Sequence, residues 1–297
     1  MIKEFILKKS SDYKTKIVTI QEPSENILNL IRKNLKNYEA DDKFLNKIKK
    51  IDKKQRSNFV FILRSLDFKL WEFPENWRYK GEKGFLGLAE RVIDLIKFIS
   101  LSNKNLTFPL FKKIVSPKEG SALAKLRFKI FKSTLGWLNK KYNGSFDNYF
   151  EENKNAYEFC LNLLELEKYR DFYKNLYFLK PNQLLYFEYI LANNLFKKYK
   201  DELETLTIFV DYKIQQIFLN FDLIKLPKKY LTKILKEQPL RKFSTLENEL
   251  RLASILLGEM ISQKLKIPAY RVDNILWWIS HKIKLEIPAP KVKTIFY

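Results

Sequence analysis

The feature that most constrains the fold is a helical repeat of apolar residues. Between residues 85 and 99, one face is apolar and the other carries Arg91, Asp94 and Lys97. The apolar face consists of Leu88, Ala89, Val92, Ile93 and Ile96. This spacing predicts an amphipathic α-helix that buries one side against a core.

The same repeat recurs along most of the chain. It predicts helices near residues 26–36, 122–141, 156–165, 182–198, 227–236, 245–265 and 272–283. Strand patterns are few: residues 15–20 are rich in β-branched side chains, and residues 66–79 alternate loosely before Gly81 and Gly84. Residues 101–120 contain Pro109, Pro117 and Gly120 and are predicted to form a loop or a weak boundary.

The predicted fold class is therefore mostly α, with a small β ribbon near the N-terminal third. The absence of an internal repeat or an obvious linker favours one helical domain over residues 1–297, with an N-terminal subregion at 1–84 as a further possibility.

Composition favours a soluble intracellular protein. Apolar residues make up 46% of the 297 positions, enough for a substantial core, and no run of eighteen apolar residues occurs. The N-terminus lacks the pattern of a secretory signal. Cys160 is the only cysteine, which excludes an internal disulfide and a zinc site built of cysteines. We expect a cytoplasmic protein without a membrane partner.

The formal charge of +22 has two interpretations. A strongly basic protein often binds nucleic acid or another polyanion, and a small phosphorylated substrate would gain from the same field. Alternatively, the excess reflects a composition rich in Lys and Ile, because the lysines are spread along the chain rather than concentrated in one segment.

Several catalytic classes are disfavoured by missing motifs. His281 is the only histidine, and we assign it to the surface or to packing. With seven glycines, the chain has no phosphate-binding loop, no dinucleotide fingerprint and no nucleophile elbow. Catalysis would have to depend on carboxylates, Lys or Tyr, and we expect no metal and no cofactor.

The leading carboxylate is Asp211. It lies between aromatic and apolar neighbours in the segment Phe209-Val210-Asp211-Tyr212, and a charge is costly to desolvate in such a setting. It could attack an anomeric carbon or stabilise positive charge on a sugar. The alternative is structural, because Asp before Tyr-Lys-Ile-Gln is also a good helix N-cap.

Four further groups have both a functional and a structural interpretation. Asp273 and Trp277 share a helical face and could form a base-binding wall, or could belong to a helix start and the core. Lys180, before a proline, could meet a phosphate at a helix N-terminus, or could be solvated. Glu249 and Arg251, with Glu247 four residues before Arg251, could bind substrate or form a solvated helical face. Phe59 and Phe61, with Trp71 and Trp77, could stack a base or pack the core.

In this order, the motifs resemble the queuosine salvage protein family. Phe209-Val210-Asp211-Tyr212-Lys213 is similar to that family's Phe-Ala-Asp-Tyr-Arg stretch, and Tyr177-Phe178 with Lys180 and Gln183 to its Phe-Tyr-Lys-Arg-Ala-Gln stretch. Four further segments match the family's Glu-x-Glu-Ile-Arg helix, Asp-x-x-Leu-Trp pattern, Gly-Ser-Phe turn with a preceding Arg, and Arg-Thr-Ile-Tyr-Tyr ending. These are Glu247 to Arg251, Asp273 with Leu276-Trp277, Arg127 with Gly144-Ser145-Phe146, and Lys293 to Tyr297.

The resemblance implies a helical core akin to that of helix-hairpin-helix DNA glycosylases. It also implies hydrolysis of queuosine 5′-monophosphate to queuine and ribose 5-phosphate without metal, with Asp211 as the catalytic carboxylate. The residues expected to bind substrate are Phe61, Lys180, Phe209, Tyr212, Glu249, Arg251, Asp273, Trp277 and Lys293.

Three segments depart from the family pattern. Phe61-Ile62-Leu63-Arg64 replaces Phe-Trp-Pro-Asp, Lys213-Ile214-Gln215-Gln216 replaces Arg-Val-Pro-Gln, and Pro290-Lys291-Val292-Lys293 replaces His-His-Arg before the final Thr. These changes leave the base open among queuosine, other 7-deazapurine and purine nucleotides. The alternative function is a DNA or RNA glycosylase acting on a flipped base. A nucleotide- or RNA-binding module without catalysis is a third reading. The oligomeric state stays open.

Overall fold

The computed structural model describes residues 1–35, 42–70, 78–101, 106–117 and 120–296. Over these ranges the protein is mostly α-helical, which confirms the predicted fold class. The helices in chain order are α1 (Ile2–Ser10), α2 (Glu25–Asn34), α3 (Asp42–Lys49), α4 (Lys53–Leu66), α5 (Gly84–Leu101), α6 (Phe108–Val115), α7 (Ser121–Tyr142), α8 (Phe146–Glu152), α9 (Ala156–Asn162), α10 (Lys180–Ala192), α11 (Lys200–Glu204), α12 (Tyr212–Asn220), α13 (Lys228–Leu235), α14 (Thr245–Leu265) and α15 (Ala269–Ser280).

The strands of the described residues are two residues long and form three two-stranded sheets. They are β1 (Thr19–Ile20), β2 (Phe172–Tyr173), β3 (Leu176–Tyr177), β4 (Ile224–Lys225), β5 (Leu240–Arg241) and β6 (Val292–Lys293). The pairs β1–β4 and β2–β3 are antiparallel, and β5–β6 is parallel. One sheet joins distant parts of the chain, since β1 pairs across about two thirds of the sequence with β4.

The strongest helical predictions agree with the structure. The helix predicted at 245–265 is α14, and Ser244 caps it through a hydrogen bond from the Glu247 amide. The helix predicted at 272–283 is α15, which begins and ends three residues earlier. The helix predicted at 182–198 is α10, which ends at Ala192 because the chain turns at Asn194 into a left-handed conformation, with φ 56°.

Two other predictions need correction or fall outside the described residues. The predicted loop at 101–120 contains α6, because Pro109 lies in the first helical turn, where its missing N–H is not needed. In the predicted ribbon at 66–79, the described residues show only an isolated bridge between Tyr79 and Glu82. Trp71 and Trp77 lie outside the described residues.

The core includes side chains from Ile2 to Phe296. In the middle of the helical assembly, α10 packs against α4, and α12 packs against both α14 and α15. The extended segment 206–211, which precedes α12, runs through this region. No helix of the described ranges is long and apolar enough to cross a membrane.

Segment 206–211 is held by three helices. From α10, the Gln183 side chain accepts a hydrogen bond from the Thr207 amide at 2.9 Å. From α15, Asp273 Oδ1 accepts one from the Phe209 amide at 2.7 Å. From α14, Gly258 allows a close approach, because a Cβ atom at this position would lie 2.5 Å from Ile208 Cγ2. The backbone that carries Asp211 is therefore positioned by contacts from several sides.

Candidate functional site

A cavity of about 500 Å³ lies among α3, α4, α5, α10, α12 and α15. Its volume is within the usual range for small-molecule sites. The charged lining residues are Arg64, Asp67, Lys83, Lys180, Glu188, Asp211, Lys213 and Asp273. The aromatic lining residues are Phe44, Phe85, Phe187, Phe209, Tyr212 and Trp277, with His281 beside them. We call this space the main cavity.

Asp211 is the N-cap of α12 and also lines the main cavity. Its Oδ1 atom accepts hydrogen bonds from the amides of Lys213 at 2.7 Å and Ile214 at 3.1 Å. Among the described residues, no donor bonds to its Oδ2 atom. The two sequence interpretations of Asp211 are therefore compatible: one oxygen caps the helix, and the other can meet a ligand.

Asp273 is a second carboxyl group of the main cavity, placed there by α15. Burial, together with the negative charge of Asp211, raises the pKa of Asp273 well above its usual range, against the opposing effects of the Phe209 hydrogen bond and Lys180. The protonated form of Asp273 is therefore favoured more than that of an ordinary exposed carboxyl group. In that form Asp273 can act as a hydrogen-bond donor.

Aromatic side chains provide flat apolar surface beside these carboxyl groups. The rings of Phe187 and Phe209 have centroids 5.5 Å apart, and those of Trp277 and His281 are 4.3 Å apart. Burial and the charge of Asp211 raise the pKa of Tyr212, so its hydroxyl stays protonated. Such surfaces suit a planar heterocycle.

A buried ion-pair cluster forms another part of the lining. Arg64 donates to both carboxylate oxygens of Glu188 and to Asp67 Oδ2, and its guanidinium carbon lies 4.2 Å from the centroid of the Phe85 ring. Burial opposes ionisation of Asp67, but the charges of Arg64 and Lys180 outweigh it and hold the pKa of Asp67 below its usual range. The charge of Arg64 is thus paired with the carboxylates of Glu188 and Asp67.

Lys180 begins α10, and its side chain is 8% exposed on the lining of the main cavity. Its charge contributes to the lowered pKa of Asp67 and partly opposes the rise in the pKa of Asp273. A lysine side chain beside the first amides of a helix forms a suitable binding site for an anionic group of a ligand.

The comparison with known proteins agrees with these motifs. The family model for queuosine salvage protein matches residues 45–297. The chain belongs to the queuosine salvage protein family. Membership supports a role for the protein in queuosine salvage. No curated protein matches the sequence.

Six of the site residues predicted from the sequence meet at the main cavity. They come from three regions of the chain and are Lys180, Phe209, Asp211, Tyr212, Asp273 and Trp277. The helical face shared by Asp273 and Trp277 was predicted from their spacing, and α15 presents both to the cavity.

Three of the predicted substrate-binding residues lie outside the main cavity and are fully buried in contacts with the protein. Phe61 stacks on Phe146, with ring centroids 4.3 Å apart. Glu249 accepts hydrogen bonds from the backbone amides of residues 16–18 at 2.7 to 2.9 Å. Arg251 pairs with Asp171 through two hydrogen bonds of 2.7 and 2.6 Å. None of the three lines the main cavity.

Lys293 also lies away from the main cavity. It is an exposed residue of β6, paired in register with Arg241 of β5. A phosphate in the cavity would therefore meet Lys180, with Lys83 and Lys213 as the other lysines of the lining.

Sequence reasoning missed Glu188, Asp67 and His281. Glu188 had a usable signal, because an acid in the run Tyr186-Phe187-Glu188-Tyr189 is as costly to bury as Asp211. Its partner Arg64 is 124 positions away, and no pattern joins the two. His281 is exposed, as expected for a surface residue, but it also lines the cavity.

Over the residues that the structure describes, no group of three His, Cys, Asp or Glu side chains is arranged to hold a metal ion. The groups of the main cavity that could take part in chemistry are its carboxyl groups, lysines and aromatic rings.

Proposed function

We propose that the protein hydrolyses the N-glycosidic bond of queuosine 5′-monophosphate, or of a related 7-deazapurine nucleotide, to release the base and ribose 5-phosphate. Family membership supports the salvage role. The observation that supports the reaction is the presence of two carboxyl groups in one cavity, where the hydrogen bonds to Asp211 leave one oxygen for a ligand and the burial of Asp273 favours its protonated form.

In this proposal, Asp211 acts on the sugar. The bond between C1′ and the base nitrogen breaks, its electron pair leaves with the base, and positive charge develops on the ribose. The Asp211 carboxylate stabilises that charge or forms an ester with C1′. Water then supplies the hydroxyl at C1′, and its remaining proton balances the charge left on the base.

Asp273 acts on the base. A 7-deazapurine lacks N7, the usual protonation site of a purine leaving group, so help must come through other ring atoms. A protonated carboxyl group can donate a hydrogen bond to an acceptor on the polar edge of the base. The rings of Phe209 and Trp277 provide the stacking surfaces, and Lys180 meets the 5′-phosphate.

The test is mass spectrometry of the products after incubation with queuosine 5′-monophosphate, with the free nucleoside and ordinary purine nucleotides in parallel. We expect queuine and ribose 5-phosphate from the first substrate, and no base release by Asp211→Asn. Intact queuosine and 7-deazaguanine nucleotides after long incubation with the wild-type protein would contradict the proposal.

The net charge of +22 supports a second candidate, a DNA or RNA glycosylase. Exposed lysines on α13, including Lys228, Lys229 and Lys233, offer a surface for a phosphate backbone. A salt-sensitive gel shift together with base release from damaged duplex DNA would support this candidate. Release from the mononucleotide alone would exclude it.

A further inference from the structure

We propose that Arg251 and Asp171, both outside the main cavity, are positioning residues that hold Lys180 in place and thereby set a preference for 5′-phosphorylated substrates over nucleosides. This inference rests on the proposed function and deepens it. It also gives a physical role to Arg251, one of the residues that the sequence predicts to bind substrate.

The first step is a fully buried ion pair. The terminal nitrogens of Arg251 donate to both carboxylate oxygens of Asp171, and both side chains are 0% exposed. The Arg251 guanidinium carbon lies 3.9 Å from the centroid of the Phe178 ring, and the Arg251 Nη1 atom lies 3.6 Å from Glu247 Oε1. A bidentate pair in such surroundings fixes the orientation of the Asp171 carboxylate.

The second step links Asp171 to the start of α10. Its Oδ2 atom accepts a hydrogen bond from the Lys180 amide at 3.0 Å. Its backbone carbonyl accepts two more, from the amides of Phe178 and Leu179, each at 3.1 Å. Asp171 therefore accepts hydrogen bonds from three consecutive backbone amides in the turn that leads into the helix.

The third step is that this turn needs such support. Leu179 has φ 51° and ψ 30°, a left-handed conformation that is unfavourable for a residue other than glycine. Without the bonds to Asp171, the backbone would relax toward ordinary angles. That change would rotate the first turn of α10 and move the Lys180 side chain within the cavity.

The fourth step connects position to substrate class. Lys180 lines the main cavity together with the carboxyl groups of Asp67 and Asp273, and its charge lies on the wall where a ligand would bind. A 5′-phosphate carries about −1.5 to −2 charges at neutral pH. A nucleoside carries none at that position. Displacement of Lys180 should therefore weaken binding of the nucleotide and leave that of the nucleoside nearly unchanged.

The experiment measures kcat and KM for queuosine 5′-monophosphate and for queuosine with Arg251→Lys, Lys180→Met and the double variant. Arg251→Lys keeps the charge and loses the bidentate geometry. We expect it to raise KM for the nucleotide about tenfold, or about 1.4 kcal/mol, with less than a twofold change for the nucleoside. Because Arg251 acts through Lys180, the double variant should match Lys180→Met.

Glu249→Gln is the matched control, since Glu249 is equally buried and lies two residues before Arg251 on α14. It should lower the melting temperature without changing the ratio of KM values for the two substrates. If Arg251→Lys does not fold, Asp171→Asn takes its place, because an amide group cannot form the bidentate ion pair with Arg251. The same rise in KM for the nucleotide, without a rise for the nucleoside, is then expected.

Equal losses for nucleotide and nucleoside in the folded variants would overturn the inference and leave a purely structural role. Additive effects in the double variant would overturn it too. Calorimetric binding of both ligands in an Asp211→Asn background keeps the two proposals separate. Absent hydrolysis by the wild type would refute the proposed function, while the ratio of affinities would still test Arg251.

Discussion

Two pairs of carboxyl groups in this protein are used in opposite ways. Asp171 and Glu249 are completely enclosed, and each of their oxygens accepts hydrogen bonds from an arginine or from backbone amides. Asp211 and Asp273 line the main cavity, and the hydrogen bonds that hold them use a single oxygen of each. We call the first pair the bracing acids and the second pair the cavity acids.

The difference shows what distinguishes an acid that holds a fold from one that can do chemistry. Both oxygens of a bracing acid accept hydrogen bonds from the protein, so the acid contributes to stability and has no oxygen available for a ligand. A cavity acid keeps one oxygen available and accepts the cost of partial burial. The contrast can be tested by neutralising one acid at a time.

The largest effect should come from Asp211→Asn. Asparagine retains an oxygen for the amides of α12 but cannot stabilise a developing positive charge. We expect kcat to fall by about a thousandfold or more, with a melting temperature close to that of the wild type. Steady-state kinetics measures kcat, and calorimetry measures the melting temperature. A variant with near-normal kcat would remove Asp211 from the mechanism.

Glu249→Gln should show the opposite profile. The Glu249 carboxylate accepts three amides from residues 16–18, and the substituted amide group can serve only some of them. We expect a loss of about 2–3 kcal/mol in the free energy of unfolding. Denaturant titration measures this loss, and the folded fraction should retain its kcat. A stable variant with low kcat would place Glu249 among the functional acids.

Asp273→Asn tests whether the protonated form of the second cavity acid is needed for activity. The pKa of Asp273 is higher in the folded protein than in the unfolded chain, so activity that needs the protonated form is lost as pH rises through the raised pKa. Asparagine donates a hydrogen bond without titrating. We expect kcat/KM near pH 7 to fall about tenfold and the alkaline decline to disappear from the pH–rate profile.

The same substitution makes an independent prediction about stability. Between the unfolded and folded pKa values, the folded state holds a proton that the unfolded chain has released, so stability falls as pH rises. Asp273→Asn should remove this dependence and raise the melting temperature at pH 8 relative to the wild type. A pH-independent difference between the two proteins would show that Asp273 is ionised when folded.

The smallest effect should come from Trp277→Phe, which concerns the aromatic surface beside the cavity acids. Phenylalanine retains a flat ring but covers less of a heterocycle. We expect KM to rise about threefold, which is within the range of aromatic pair energies, with kcat nearly unchanged. Trp277→Ala, measured in parallel, should raise KM further. Equal KM values for wild type and both variants would exclude stacking on Trp277.

The sequence predicted the parts of the site that depend on local spacing. The cap position of Asp211 follows from the residues after it, and the shared face of Asp273 and Trp277 follows from helical geometry. The bounds of α14 follow from its apolar stripe and the Ser244 cap. Each of these needs only a few neighbouring residues to define it.

What the sequence could not predict depends on distant partners. Glu249 and Arg251 are charged residues on a helix, and spacing does not tell whether such side chains face a cavity or are saturated by buried partners. Asp171 lies 80 positions from Arg251, and residues 16–18 lie more than 230 positions from Glu249. The pairing of Arg64 with Glu188 was invisible for the same reason.

The close approach at Gly258 limits the order in which substitutions can accumulate. A methyl group there would meet three side-chain carbons of Ile208, at 2.5, 2.7 and 2.9 Å. Alanine at 208 would remove all three carbons, whereas valine would remove only the terminal one. A mutational path to any larger residue at 258 therefore passes first through a smaller residue at 208. Substitutions at the two positions can therefore occur in one order only. Position 208 lies three residues before Asp211 in the sequence.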